Sequence, residues 1–148
     1  LELADALTGQ RDAKNIGVEK SCTFVAGDIT ALPVESQFDA VLNNEVLHML
    51  DPAAAESVLE TAADMTKRGG IHITSGYVID PDAANKPANP DRYLMPGELQ
   101  SWYQGRGWKI RYSEDQMYRS RLIHGKRFVD SLSCVVAENQ SYKTFYIP

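Results

Sequence analysis

A chain of 148 residues, 43% apolar and with a net charge of -5, has the size of one domain and can bury roughly two-thirds of its unfolded surface. Its acidity is dispersed, which removes any general reason to bind nucleic acid or an anionic membrane. No apolar run approaches the ~20 residues of a spanning helix, and no basic stretch followed by an apolar one marks a signal peptide.

Residues 2–15 place Leu3, Ala6, Leu7 and Ala13 at helical spacing, with Thr8-Gly9 as a weak centre and Asn15-Ile16-Gly17 as the stop. The sequence opens on Leu1 rather than Met, which leaves two expectations open: processing, or a longer parent chain. Residues 21–26 form a β-type run ended by Gly27-Asp28. Phe38-Asp39-Ala40-Val41-Leu42 is too short for a helix and reads as a buried strand that turns at Asn43-Asn44-Glu45. Asp51-Pro52 then caps a helix over residues 52–67, with Ala55, Val58, Leu59, Ala62 and Met65 on its buried stripe. Lys67 and Arg68 suit its C-terminal dipole, and Gly69-Gly70 is the expected stop before a strand at 71–75. These connections suit parallel pairing.

Residues 77–96 hold four prolines and no periodicity. Tyr93, Leu94 and Met95 give the stretch something to bury, so an ordered lid is expected rather than a linker. A short helix at 97–105 carries Leu99, Trp102 and Tyr103, the tryptophans at 102 and 108 being expected in the core. Two strands follow, at 108–113 and 127–137. The basic excursion between them, with Arg119, Arg121, His124, Lys126 and Arg127, reads as a solvated hairpin tip; an anionic ligand or acidic partner is the alternative. Tyr142, Phe145, Tyr146 and Ile147 make residues 139–148 an aromatic tail that should dock on the body or on another subunit.

Chemistry is constrained first by what the sequence lacks. It contains no strand, glycine-rich loop and helix in succession, no phosphate-cradling lysine loop and no nucleophile elbow. His48, His72 and His124 match no metal spacing, so no metal site is expected. Cys22 and Cys134 sit in apolar runs and are expected as buried free thiols of a cytoplasmic protein, a disulfide or metal site being the alternative. In an open α/β sheet ligands sit at the carboxyl ends of strands. Asp28, Asn43, Asn44 and Glu45 fall at such ends, and Tyr77 and Asp80 follow the next strand. Asp28 has a second reading as a cap for the next turn. His48 has one as a semi-buried, satisfied histidine.

With those residues placed, the chain resembles the class I S-adenosylmethionine-dependent methyltransferases, and within them the small tellurite-resistance-type branch. The resemblance rests on Phe24-Val25-Ala26-Gly27-Asp28, on Phe38-Asp39-Ala40-Val41-Leu42 with Val46-Leu47-His48-Met49-Leu50, and on Thr66-Lys67-Arg68-Gly69-Gly70. Pro96-Gly97-Glu98-Leu99 and Trp102-Tyr103 before Gly107-Trp108 complete it over residues 2–138. It implies an α/β fold with a truncated, Rossmann-like sheet, mostly parallel with a C-terminal antiparallel hairpin. It places Asp28 and Ile29 at the cofactor's adenine, Asn43 and Asn44 at its ribose and methionine portion, and Glu45, His48 and Tyr77 on the substrate side. None of the three is implied as a required base, because transfer to a soft nucleophile can proceed by alignment of donor and acceptor.

Residues 1–17 align with the helix after the family's second strand, so the glycine loop and the ribose-binding acid precede the match. S-adenosylmethionine is therefore implied as cofactor by resemblance only, with poor or no binding by this chain alone. The strand at 38–42 would present a bare edge, which a homodimer contact through the sheet edge or the tail, or a shifted neighbouring strand, would cover. Three functions remain open at this point. They are a truncated or degenerate methyltransferase, a non-enzymatic dimeric small-molecule-binding or accessory protein, and a fragment of an active small-molecule methyltransferase.

Overall fold

Asn15-Ile16-Gly17 ends the first helix as its residue types demand. In the computed structural model, which describes residues 2–31, 36–79, 89–123 and 126–140 and only the backbone of 2–7 and 116–130, this helix (α1) spans Glu2–Asn15. Gly17 takes φ +76°, its N–H donates to the Lys14 carbonyl at 3.1 Å, and that of Val18 to the Ala13 carbonyl at 2.9 Å. That pair of bonds is a Schellman stop, and only glycine enters it without strain. Gly9 weakens α1 but has a packing reason: a Cβ there would lie 2.8 Å from the Phe24 ring.

The chain divides into two units, Leu1–Pro33 and Val34–Pro148. In the first, the expected strand at 21–26 does not form. Cys22 is extended, with φ -116° and ψ 139°, but residues 22–26 join no ladder among the described residues. A β-type composition makes a strand only where a neighbour takes its backbone bonds. Cys22 and Val25 are accordingly exposed, against the expected burial of Cys22, whereas Cys134 in the second unit is half-buried; both thiols are free.

The second unit is an open mixed sheet, of the α/β class expected, in the order β1-β2-β4-β3. Strand β1 (Phe38–Asn44) lies parallel to β2 (Thr66–Val78), joined through the helix α2 (Pro52–Met65). β3 (Lys109–Ile123) and β4 (Lys126–Glu138) form the closing antiparallel hairpin, with β4 between β2 and β3. The hairpin runs further than expected. The basic stretch stays in register, Arg119 with Asp130 and Leu122 with Arg127, because a ladder needs only backbone partners. His124 lies outside the described residues, as do residues 80–88 of the expected lid, Asp80 among them, and the aromatic tail beyond Gln140.

Asp51 caps α2 as expected, its Oδ1 accepting the Ala54 N–H at 2.9 Å with Pro52 in the first turn. The helix ends at Met65, two residues early. The Thr66 hydroxyl donates to the Ala62 carbonyl at 2.8 Å and β2 begins at once. Lys67 and Arg68 are therefore in the strand, not the helix's last turn, and Gly69-Gly70 serves a bulge instead of a helix stop. Pairing jumps from Phe38 with Thr66 to Ala40 with Ile71. Gly69 takes φ +77°, and a Cβ on Gly70 would lie 2.8 Å from the Lys67 carbonyl. Lys67 Nζ closes the bulge on Asp39 at 2.9 Å.

The core lies where α2 and α3 (Glu98–Gly105) meet the sheet, through Leu47, Leu59, Leu99, Tyr103, Trp108, Val135 and Ala137. Trp102 is half-buried at the seam between the two helices. Its Nε1 donates to Glu56 at 2.9 Å, and the Arg106 guanidinium stacks 3.8 Å from the centroid of its ring. β1 departs from its expected burial. Phe38 and Leu42 are 44% and 68% exposed, and only Asn43 is fully buried. The cause is its place at the sheet edge: β1 pairs with β2 alone, and among the described residues no shifted strand lies on its other side.

Candidate functional site

β1 and β2 are parallel, so their carboxyl ends open at the same side of the sheet. β1 leaves it through Glu45, which takes the left-handed φ of +54° while its N–H donates to the Ser75 carbonyl at 3.0 Å. A glutamate in that conformation stores backbone strain, a feature that concentrates at functional sites. Just before it, Asn43 is 6% exposed, and neither amide atom has a hydrogen-bond partner among the described residues. Asn44 faces the other way and accepts from the Ser75 hydroxyl at 2.7 Å.

The chain then makes a single 3-10 turn, Leu47–Met49, anchored by buried Leu47. This sets the half-buried His48 ring edge-on to Tyr77, with centroids 4.4 Å apart. Tyr77, near the end of β2, is buried, and its hydroxyl donates to Glu45 Oε2 at 3.3 Å. A third ring, Tyr93, comes from the segment after residue 88 and lies 6.0 Å from Tyr77 and 6.1 Å from His48. The second unit thus gathers Asn43, Asn44, Glu45, His48 and Tyr77 at one strand end. Glu45, Tyr77 and His48 put a carboxylate, a phenol and an imidazole in contact there, which suits positioning a nucleophile and receiving its proton.

Asp28 and Ile29 belong to the first unit. Asp28 Oδ1 accepts from the Thr30 N–H at 2.9 Å and from its hydroxyl at 2.8 Å, and the first of these bonds does most to hold the carboxyl below the usual carboxylate range. This is the capping role, on the turn Ile29–Ala31, with Ile29 half-buried.

Two participants gave little sign in the sequence. Ser75, whose carbonyl and hydroxyl hold Glu45 and Asn44, looks like any strand-end serine. Leu94 joins the site by backbone bonds, which no side-chain pattern announces. A cavity of about 350 Å³, lined by Glu60, Thr66, Arg106 and Asn139, opens at the amino end of β2 and has no part in this cluster. Among the described residues no three His, Cys, Asp or Glu side chains are grouped to hold a metal ion, and no helix is long and apolar enough to cross a membrane.

A family profile described as a methyltransferase domain matches residues 2–74. No curated protein matches the sequence. Among solved structures, TehB from Haemophilus influenzae is similar over 85% of this chain and 46% of its own, at 15% identity and a TM-score of 0.64. The [4+2]-cyclase SpnF covers 94% of this chain and 64% of its own, at 14% identity and a TM-score of 0.67. A geranyl diphosphate methyltransferase solved in complex with SAM covers 92% and 65%, at 14% identity and 0.65. The chain spans less than two-thirds of the length of each. The protein therefore has a methyltransferase-like, Rossmann-like α/β fold, with the methyltransferase-domain match confined to residues 2–74.

Proposed function

We propose that this chain is a truncated or degenerate S-adenosylmethionine-dependent methyltransferase of the tellurite-resistance type. In this reading, its 148 residues carry the acceptor side of the site and hold the cofactor poorly by themselves. The observation that carries the reading is the end of β1. There a buried amide with neither atom satisfied among the described residues, Asn43, sits two residues from Glu45, whose backbone is strained and whose carboxylate Tyr77 holds. A buried polar group without a partner costs free energy, and a ligand's own donor and acceptor at that place would remove the cost.

Asn43 thus fits a polar ligand beside the strand end, whereas Asn44 faces the other way and is held by Ser75. Other residues assigned to the cofactor fit less well. The Asp28 carboxylate already caps its own turn, and the sequence offers no glycine loop for close backbone approach. The set is incomplete for S-adenosylmethionine, and no chemical step is derived through it. Glu45, His48 and Tyr77 are the substrate side: Glu45 and His48 can take a proton, and Tyr77 holds the Glu45 carboxylate in place.

Titration calorimetry of the 148-residue protein with S-adenosylmethionine and its demethylated product tests this directly. Binding weaker than about 1 mM, the low end of ordinary small-ligand affinity, is expected. A micromolar constant would overturn the reading and favour a working methyltransferase fragment.

A second reading, a dimeric binding or accessory protein in a cytoplasmic setting, is favoured by the β1 edge. Phe38 and Leu42 are exposed along a strand that, among the described residues, has no neighbour on one side. Such an edge invites pairing, and a second copy would extend the sheet across it. Sedimentation equilibrium should then give twice the chain mass, and a monomer at tens of micromolar would exclude it.

A further inference from the structure

The segment that follows residue 88 meets the end of β2 at Leu94. The Leu94 N–H donates to the Tyr77 carbonyl at 2.9 Å, and its carbonyl accepts from the Ile79 N–H at 2.8 Å. This is a one-residue parallel bridge beside Val78. The Leu94 side chain lies over Gly76, where a Cβ would come within 2.7 Å of Leu94 Cδ1 and 3.8 Å of Leu47 Cδ1. The missing side chain at 76 is therefore a notch that the leucine fills.

On either side of this point the anchors are slight or pivot-like. Arg92 reaches the Met49 carbonyl at 3.5 Å, at the limit of a hydrogen bond. Beyond Leu94 the Met95 N–H donates to Glu98 at 2.7 Å. Gly97 then turns at φ +77° with its N–H on Asp115 at 2.6 Å. That end is fixed to α3 and β3 and pivots on a glycine. Between segment and body a cleft of about 70 Å³ remains, lined by Leu47, Leu50, Leu59, Tyr93 and Leu94. Leu94 is partly buried and packs on the edge of the core, whereas Leu99 and Tyr103 beneath it are fully buried.

We propose that residues 89–97 form a strap that gates the acceptor end of the site. Leu94 is the latch in the Gly76 notch, Gly97 the hinge, and Tyr93 the wall carried onto His48 and Tyr77. The inference rests on the reading of Glu45, His48 and Tyr77 as the acceptor side. Opening the strap breaks the two Leu94 backbone bonds and the long contact from Arg92 to Met49 and withdraws Leu94 and the Tyr93 ring, leaving Leu99, Tyr103, Trp108 and Val135 in place. Segments held by so few buried contacts open on their own, well before the whole protein unfolds. In this scheme Leu94 is a positioning residue: it acts through Tyr93 and need not touch the acceptor.

Amide hydrogen exchange on the 148-residue protein at pH 7 tests the strap without cofactor or substrate. After correction for intrinsic rates, the Leu94 and Ile79 amides should exchange about tenfold or more faster than those at the centres of β2 and β4. Leu94→Ala should speed both by a further factor of about ten, with α2 and β4 unchanged. Gly76→Ala, which keeps the leucine but fills its notch, should do the same. Modification of His48 by diethyl pyrocarbonate, followed by mass spectrometry, should accelerate in step in both variants. Exchange at the same rate as the core, an equal acceleration at every amide, or an unchanged His48 rate would each overturn the proposal. Because neither readout involves S-adenosylmethionine, failure of the strap and failure of the methyltransferase reading show up separately.

Discussion

Tyr103→Phe should cost the folded protein about 2 kcal/mol in urea unfolding at pH 7, although only one oxygen is removed. Tyr103 is fully buried. Its hydroxyl lies 2.8 Å from His72 Nδ1 and 2.6 Å from Thr74 Oγ1, and that Thr74 oxygen lies 3.1 Å from His72 Nε2. Three side chains thus make a closed triangle. With a neutral imidazole there are three hydrogens for three contacts, so every bond is satisfied in either direction of circulation. Deleting the phenol oxygen leaves His72 and Thr74 each short of a partner, in a place no water reaches.

For a domain of ordinary stability, about 5–15 kcal/mol, that loss is large. The triple variant His72→Leu, Thr74→Val, Tyr103→Phe removes donors and acceptors together and should recover most of it, since apolar replacements leave nothing unpaired. A single variant as stable as the wild type would show that the triangle contributes little.

This triangle also marks where the sequence stopped being legible. The helices are legible because their signals are local. Asp51-Pro52 starts α2 and Gly17 ends α1 with bonds made inside a few residues. The strand end at Asn43-Asn44-Glu45 was legible for a similar reason: two asparagines and a glutamate after an apolar run mark a turn on the ligand side of an α/β sheet.

Long-range facts were not legible. Whether residues 22–26 become a strand depends on a partner elsewhere in the chain, and so does the burial of Phe38 and Leu42. The Lys67-Arg68-Gly69-Gly70 stretch has the composition of a helix stop. It becomes a bulge because Thr66 ends the helix first and Asp39 takes the lysine. His72 and Thr74 alternate with Ile71 and Ile73, a pattern that reads as polar-out. Only the packing of Tyr103 from α3, 29 residues away from Thr74, turns the polar side inward.

Acid should destabilise the protein through the same triangle, and the interval is set by His72. Burial penalises the imidazolium and pulls the folded-state pKa down to about 4, while an unfolded histidine titrates near 6.5. Between those values the unfolded chain binds the extra proton and the folded chain does not. Stability is therefore fully present above pH ~6.5 and falls as pH drops, by ~1.4 kcal/mol per unit and ~3 kcal/mol in all, levelling below about 4. The neutral triangle explains the resistance to charging, since a second ring proton would leave four hydrogens for three contacts.

Other groups titrate lower. Glu138, half-buried and held down mainly by its bond from Arg111, and Asp28, exposed and held down by Thr30, act from the acid end of the histidine interval downward, and their influence is common to any His72 variant. Subtracting the variant removes them. His72→Gln cannot titrate, so it should be less stable than wild type at pH 7, with the gap closing steadily as pH falls from 6.5 to 4 in urea unfolding. Parallel curves over that interval would mean that His72 is charged in the folded protein, and the closed three-hydrogen triangle would be the wrong description of the core.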